Sequence, residues 1–243
     1  MAHQDTAPAL TNIQSLQVHY QKMWQHSANS IATGNVDIDP LIADSTDNRR
    51  GITLLARIDS HINNQLNAAI APLQQLAPEQ YYYPNSDRHI TLLSIISCED
   101  GFTLNKVNID DYIVLIEQCL KNIPALNIEF KGVTASPAAI LAQGYPRSET
   151  LTTLRQQLRQ QFKASSLMHS IDARYTLQTA HCTLMRFQSA LVQSQAFMAA
   201  LQPWRQQYFG RLAITQIELV FNDWYQRQSQ CLHKFKLGKS VQT

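Results

Sequence analysis

Arg88-His89-Ile90-Thr91-Leu92-Leu93-Ser94 is the stretch on which the fold turns, because a near copy follows as Ala180-His181-Cys182-Thr183-Leu184-Met185-Arg186. Of the chain's 8 histidines, only these two carry Thr at the second and Leu at the third following position. Both lie in apolar, β-branched runs that read as strands. Side chains alternate faces along a strand, so His89 shares a face with Thr91, and His181 with Thr183. Ile90 and Leu92, or Cys182 and Leu184, then point into a core. Each strand offers an imidazole beside a hydroxyl, which suits a phosphate. One such element is ordinary strand composition. Two of them 92 residues apart, with the same offset relating Tyr83 to Tyr175, read as a duplicated unit.

Outward from these stretches the chain divides in two. Residues 1–48 form an amino-terminal helical extension and linker. Ile13, Leu16, Tyr20, Met23, Trp24 and Ile31 recur at helical spacing and Gly34 supplies a stop, so an amphipathic helix packed on the body is expected. Asn35 to Asn48 is a polar linker. The body, 49–243, opens with a strand over 52–58 and a helix capped by Asp59 or Ser60. After the first motif come a helix over 110–122 and a strand over 126–134. The second half replays this order: strand 139–145, helix 148–163, the second motif within a strand over 175–187, helix 194–208 and strand 212–221. A last strand, 231–237, follows a polar loop holding Trp224 and Tyr225.

Bulk properties narrow the classes. A 243-residue chain that is 44% hydrophobic can bury a sizeable core. A net charge of +2 argues against a dedicated duplex-binding surface but leaves room for a small anion in a locally basic cleft. The four cysteines, Cys98, Cys119, Cys182 and Cys231, lack paired spacing, so reduced thiols and a cytoplasmic location are expected. No apolar run approaches a membrane span, and Met1 to Asp5 lacks the basic start and apolar core of a signal peptide. Gly238-Lys239-Ser240 echoes the end of a phosphate-binding loop, but His233 stands where that loop needs its first glycine.

The paired His-x-Thr-Leu elements resemble the two H-x-[ST]-x motifs of the 2H phosphoesterase superfamily, which includes 2′-5′ RNA ligases and cyclic nucleotide phosphodiesterases. The resemblance spans about residues 50 to 238. It implies an α+β fold, a bilobal pseudo-two-fold duplication with two antiparallel-rich sheets facing a central cleft and helices outside. It assigns catalytic roles to His89, Thr91, His181 and Thr183. Arg186 is similar to the arginine often found there in the RNA ligase branch, and Ser94 stands where that branch often has an aromatic residue.

Two facing imidazoles suit the opening of a cyclic phosphodiester, which needs one proton removed from water and another delivered to the leaving oxygen. The threonine hydroxyls would donate to the non-bridging oxygens, and Arg186 would add a fixed charge. Strict alternation puts Arg186 on the face opposite His181, so a bulge or strand end must bring it to the cleft. Tyr83 and Tyr175 can line the cleft and stack on a base, with at least one of them expected in the core. No carboxylate or cysteine stands at ligand spacing beside either histidine, so no metal and no cofactor is expected. The expected function is a metal-independent phosphodiesterase acting on 2′,3′-cyclic phosphate or 2′-5′ linked nucleotide or RNA ends. The second reading is a non-catalytic module that holds such an end in the same cleft, and a ligand-free scaffold is the third. The expected partner is therefore a nucleotide or RNA end, with no membrane and a monomeric state. Pseudo-symmetry leaves open which histidine is acid and which base.

Overall fold

Two antiparallel sheets carry the two motifs, and the computed structural model describes them within residues 12–238. Residues 1–11 of the extension, and Lys239 and Ser240 of the glycine-lysine-serine echo, lie outside the described residues. In chain order the helices are α1 (Asn12–Ala32), α2 (Ser60–Leu76), α3 (Ile109–Leu120), α4 (Thr150–Ala164) and α5 (Ser194–Leu201). The strands are β1 (Arg50–Arg57), β2 (Tyr81–Tyr82), β3 (His89–Glu99), β4 (Leu126–Ser136), β5 (Ala139–Pro146), β6 (Cys182–Arg186), β7 (Tyr208–Ile214), β8 (Gln216–Asn222) and β9 (Gln230–Lys236). One sheet runs β3-β1-β8-β9 and the other β2-β6-β5-β4-β7. The first holds His89 at the start of β3; the second holds Thr183 in β6, with His181 just before it.

Apart from the two-residue β2, which has no counterpart, the sheets match in order, β3-β1-β8-β9 against β6-β5-β4-β7, yet neither is built from one half of the chain. Strand β4 leaves the first half to pair with β5 and β7, while β8 returns from the second half to pair with β1. The helices cross over too. Helix α2 packs against β7 and α4 against β3, so each sheet is backed by a helix from the other half. One continuous apolar core results, running from Ile52 and Leu54 of β1 through Leu154 and Leu158 of α4 to Phe197 of α5.

Several boundaries follow from local chemistry. Asp59 caps α2, its Oδ1 accepting from the Ile62 amide at 2.8 Å. Helix α5 ends at Leu201 rather than near Tyr208, because Pro203 lacks an amide proton and the chain tightens into a 3₁₀ turn over Gln202–Arg205. The run expected as one strand over 212–221 is two, β7 and β8, in different sheets. In–out alternation slips by one residue there: Leu212 and Ile214 are buried, Thr215 and Gln216 are both exposed, and Ile217 and Leu219 resume the pattern, so the phase break marks the crossing at Thr215. The second motif strand is also far shorter than 175–187: residues 175–181 are irregular, and β6 spans only Cys182–Arg186.

Helix α1 ends where Gly34 adopts φ 79°, and it is tied into the body. Its Leu16, Tyr20, Trp24 and Ile31 are buried, and Trp24 and Ile31 belong to the main core. The Tyr20 hydroxyl donates to the Gly144 carbonyl at 3.1 Å, and Thr134 Oγ1 donates to the Tyr20 carbonyl at 2.9 Å. The polar segment after α1 is strapped down by the Asp39 amide on the Phe187 carbonyl and by the Tyr225 hydroxyl on Asp39 Oδ2. Among the described residues, no helix is long and apolar enough to cross a membrane.

Candidate active site

Each motif strand contains an extra residue just after its His-x-Thr, and that residue shapes the site; β3 has further register shifts beyond it. In β3, Leu54 pairs with Leu93 and Leu55 with Thr91, which leaves Leu92 without a partner on β1. In β6, Ile140 pairs with Met185 and Leu141 with Thr183, which leaves Leu184 extra. Both bulges fall three residues after their histidine. Burial records the same event as two adjacent buried residues, Leu92–Leu93 and Leu184–Met185, in place of alternation. A bulge flips every later side chain to the other face. Thr91 is therefore followed on its face by Ser94, and Thr183 by Arg186. The bulge needed to turn Arg186 toward His181 is present.

The two faces meet in one cleft of about 110 Å³, lined by His89, Thr91, Ser94, His181, Thr183 and Arg186, with Tyr83, Tyr175 and Trp224 at its walls. All seven sequence-selected residues come together here, but the two tyrosines differ. Tyr83 is 3% exposed, and its hydroxyl accepts from Arg186 Nε at 3.0 Å. It serves to hold the guanidinium. Tyr175 is 66% exposed on the irregular segment and offers a free ring face. Trp224 lies beneath the Arg174 guanidinium, 4.7 Å from the ring centroid, so the aromatic wall carries positive charge. Its neighbour Tyr225 is fully buried and supports the strap through Asp39.

The histidines are held alike from two residues upstream. His89 Nδ1 lies 2.7 Å from the Asp87 carbonyl, and His181 Nδ1 lies 2.6 Å from Thr179 Oγ1. A carbonyl only accepts, so His89 keeps its proton on Nδ1 and leaves Nε2 bare when neutral. A hydroxyl can donate or accept, so His181 can keep its bond in either charge state. Burial pulls the His89 imidazole down to about 4, partly offset by the Asp87 carbonyl. Burial, then repulsion by His89, Arg155 and Arg186, pulls His181 down to about 3. Both shifts favour neutral rings near pH 7, and Arg186 supplies a fixed positive charge beside them.

Sequence reasoning missed Thr179, Asn222 and Gln226, all at or beside the cleft, and noted Ser94 only as a departure from the RNA ligase branch. Thr179 could have been found from its offset, because it stands before His181 as Asp87 stands before His89. Asn222 and Gln226 come from the segment around Trp224, where no pattern marks them. Among the described residues, no group of three or more His, Cys, Asp and Glu side chains is arranged to hold a metal.

Solved structures share this architecture. TT0787 of Thermus thermophilus superposes with a TM-score of 0.55 at 16% identity, covering 78% of this chain and 99% of its own. LigT of E. coli, crystallised with 3′-AMP, gives a TM-score of 0.54 at 14% identity, covering 79% of this chain and 99% of its own. At these identities the likeness is one of fold. No curated protein matches by sequence. The family model of the 2′-5′ RNA ligase superfamily, however, matches residues 60–223, about two thirds of the chain and both motifs. Convergent motifs, paired sheets and family match lead to one result: the chain belongs to the 2′-5′ RNA ligase superfamily, within the 2H phosphoesterases.

Proposed function

We propose that this protein is a metal-independent phosphodiesterase that opens 2′,3′-cyclic phosphates, or cleaves 2′-5′ linkages, at nucleotide or RNA ends. The observation that carries this reading is the convergence of His89, Thr91, His181, Thr183 and Arg186, from two separate sheets, on one cleft. A phosphate between the strands meets a hydroxyl from each side and the Arg186 charge. The non-bridging oxygens receive the hydroxyl and guanidinium protons as negative charge builds. One imidazole takes the proton of the attacking water while the other, charged once the anion arrives, protonates the leaving oxygen. Each transfer contributes about 10²–10⁴-fold. Crystals of LigT with 3′-AMP and with ATP support a nucleotide as the ligand class, and Tyr175 and Trp224 supply ring faces for a base.

The test is incubation with a panel of 2′,3′-cyclic nucleotides and 2′-5′ dinucleotides, followed by phosphorus NMR, with and without exhaustive EDTA. Turnover should occur and should survive EDTA. Loss under EDTA with rescue by a divalent ion would overturn the two-imidazole chemistry. Shifted resonances without turnover would leave a binding cleft only.

A further inference from the structure

Helix α4 carries an arginine on its apolar stripe. Its buried residues are Leu151, Leu154, Arg155, Leu158 and Phe162, and Arg155 is 3% exposed. A buried guanidinium is costly unless paired or well hydrogen-bonded. The acceptors here are three backbone carbonyls. Arg155 Nε donates to Leu92 at 2.9 Å, and Nη2 donates to Thr91 at 2.6 Å and to Thr179 at 2.9 Å. These oxygens belong to both motifs: Leu92 is the bulge residue of β3, Thr91 carries the first hydroxyl, and Thr179 holds His181 Nδ1. A well-packed apolar side chain would often serve a core at least as well. What the arginine adds is a direct tie between the two halves of the site.

We propose that Arg155 is a positioning residue that fixes the bulge of the first motif and the orientation of His181 relative to each other, without touching the ligand. It does not line the cleft between the motifs. Its charge reaches the site as well. The groups facing the His181 imidazole are His89 from β3, Arg186 from β6, His19 from α1 and Arg155 from α4, and each disfavours its protonation. Removing Arg155 should therefore loosen the geometry and let His181 take a proton at higher pH.

This inference rests on the acid–base reading above, and the experiment separates the two. Arg155→Met and Arg155→Lys are compared with the wild-type chain by thermal melting, by steady-state turnover of 2′,3′-cyclic AMP and by NMR titration of the His181 ring. In a folded Arg155→Met, kcat should fall about 10²-fold, the usual cost of an ångström-scale misplacement. KM should stay within about twofold, because no ligand contact is lost. The His181 titration should move to higher pH. Arg155→Lys keeps the charge, but its single ammonium cannot replace the spread guanidinium across three carbonyls. It should lose turnover while the His181 titration stays near wild type. Wild-type kcat and an unmoved titration in folded Arg155→Met would overturn the proposal. If that variant does not fold, wild-type kcat in Arg155→Lys overturns it. Should the wild-type chain turn over no cyclic phosphate, the functional reading falls, and the titration of Arg155→Met still decides the placement of Arg155.

Discussion

His89 and His181 have opposite tasks in the proposed reaction, so both are needed at once. His89→Ala and His181→Ala should each lower turnover by about two to four orders of magnitude, the usual worth of a general acid or base. The double substitution should cost far less than the product, because the pair acts as a unit. Steady-state assays on variants shown to be folded by circular dichroism check this, and near wild-type turnover by folded His181→Ala would contradict it. The pH dependence follows from the depressed titrations near 4 and 3. Bound phosphate favours imidazolium, so the kcat profile should lie at higher pH than the profile of kcat/KM, which reports the free protein. For stability the sign is opposite to that of a paired carboxylate-histidine. An unfolded histidine titrates near 6.5, so as pH falls below that value the unfolded chain takes up protons the folded chain refuses. The melting temperature should therefore drop between about pH 6.5 and pH 5, above the carboxylate range, and drop less in the double His→Ala variant. The residues that converge on the cleft were legible because the proposed chemistry is written in type and spacing. Arg155 was not, because an arginine among leucines in a helical stripe reads as surface until the sheet it supports is known.

Among the elements, α1 to α4 and the first motif strand were read nearly as they stand, since amphipathic periodicity and an Asp cap are local signals, whereas α5 was read seven residues too long, past Pro203. The segment 175–181 was misread as well. Its Tyr175-Thr176-Leu177 imitates a strand, but it joins neither sheet and leads into the irregular residues before β6, where Arg155 holds the Thr179 carbonyl. The bulges lay halfway between: Arg186 demanded one, and only strand register could place it at Leu184. Close packing beside those residues supplies a sharp test. A Cβ on Gly144 would stand 1.9 Å from the Ala180 carbonyl, a backbone atom that cannot step aside without carrying His181 with it. Gly144→Ala should cost about 1–3 kcal/mol in urea unfolding, as overpacking does, and turnover should fall toward the roughly 10²-fold penalty of a displaced catalytic group. Gly101, with nothing within 4 Å of its would-be Cβ, provides the control. Gly101→Ala should carry only the strain of its positive φ and leave turnover unchanged.

At the scale of the molecule, the extension is joined to the body through Trp24 and Ile31 in the core, while no residue of α1 lines the cleft between the motifs. Trp24→Ala should cost about 3–5 kcal/mol in urea unfolding, as truncation of a large buried aromatic does. The folded protein should still turn over substrate at the wild-type rate, and a large loss of rate without unfolding would make α1 part of the site. The two-sheet fold was legible from the repeat, but the exchange of β4 and β8 between sheets was not, because pairing partners leave no mark on local periodicity. That exchange bears on synthesis. Translation proceeds from the amino terminus, and domains usually fold as they emerge. Here the strand bearing His89 appears early, yet its neighbour β1 stays an open edge until Gln216–Asn222 has been made. From the making of β3 until β8 emerges, the nascent chain carries an uncapped β-edge beside the first motif. Stalling late in translation should therefore leave a chain prone to aggregation, and separately expressed halves should be insoluble alone and recover activity only when produced together.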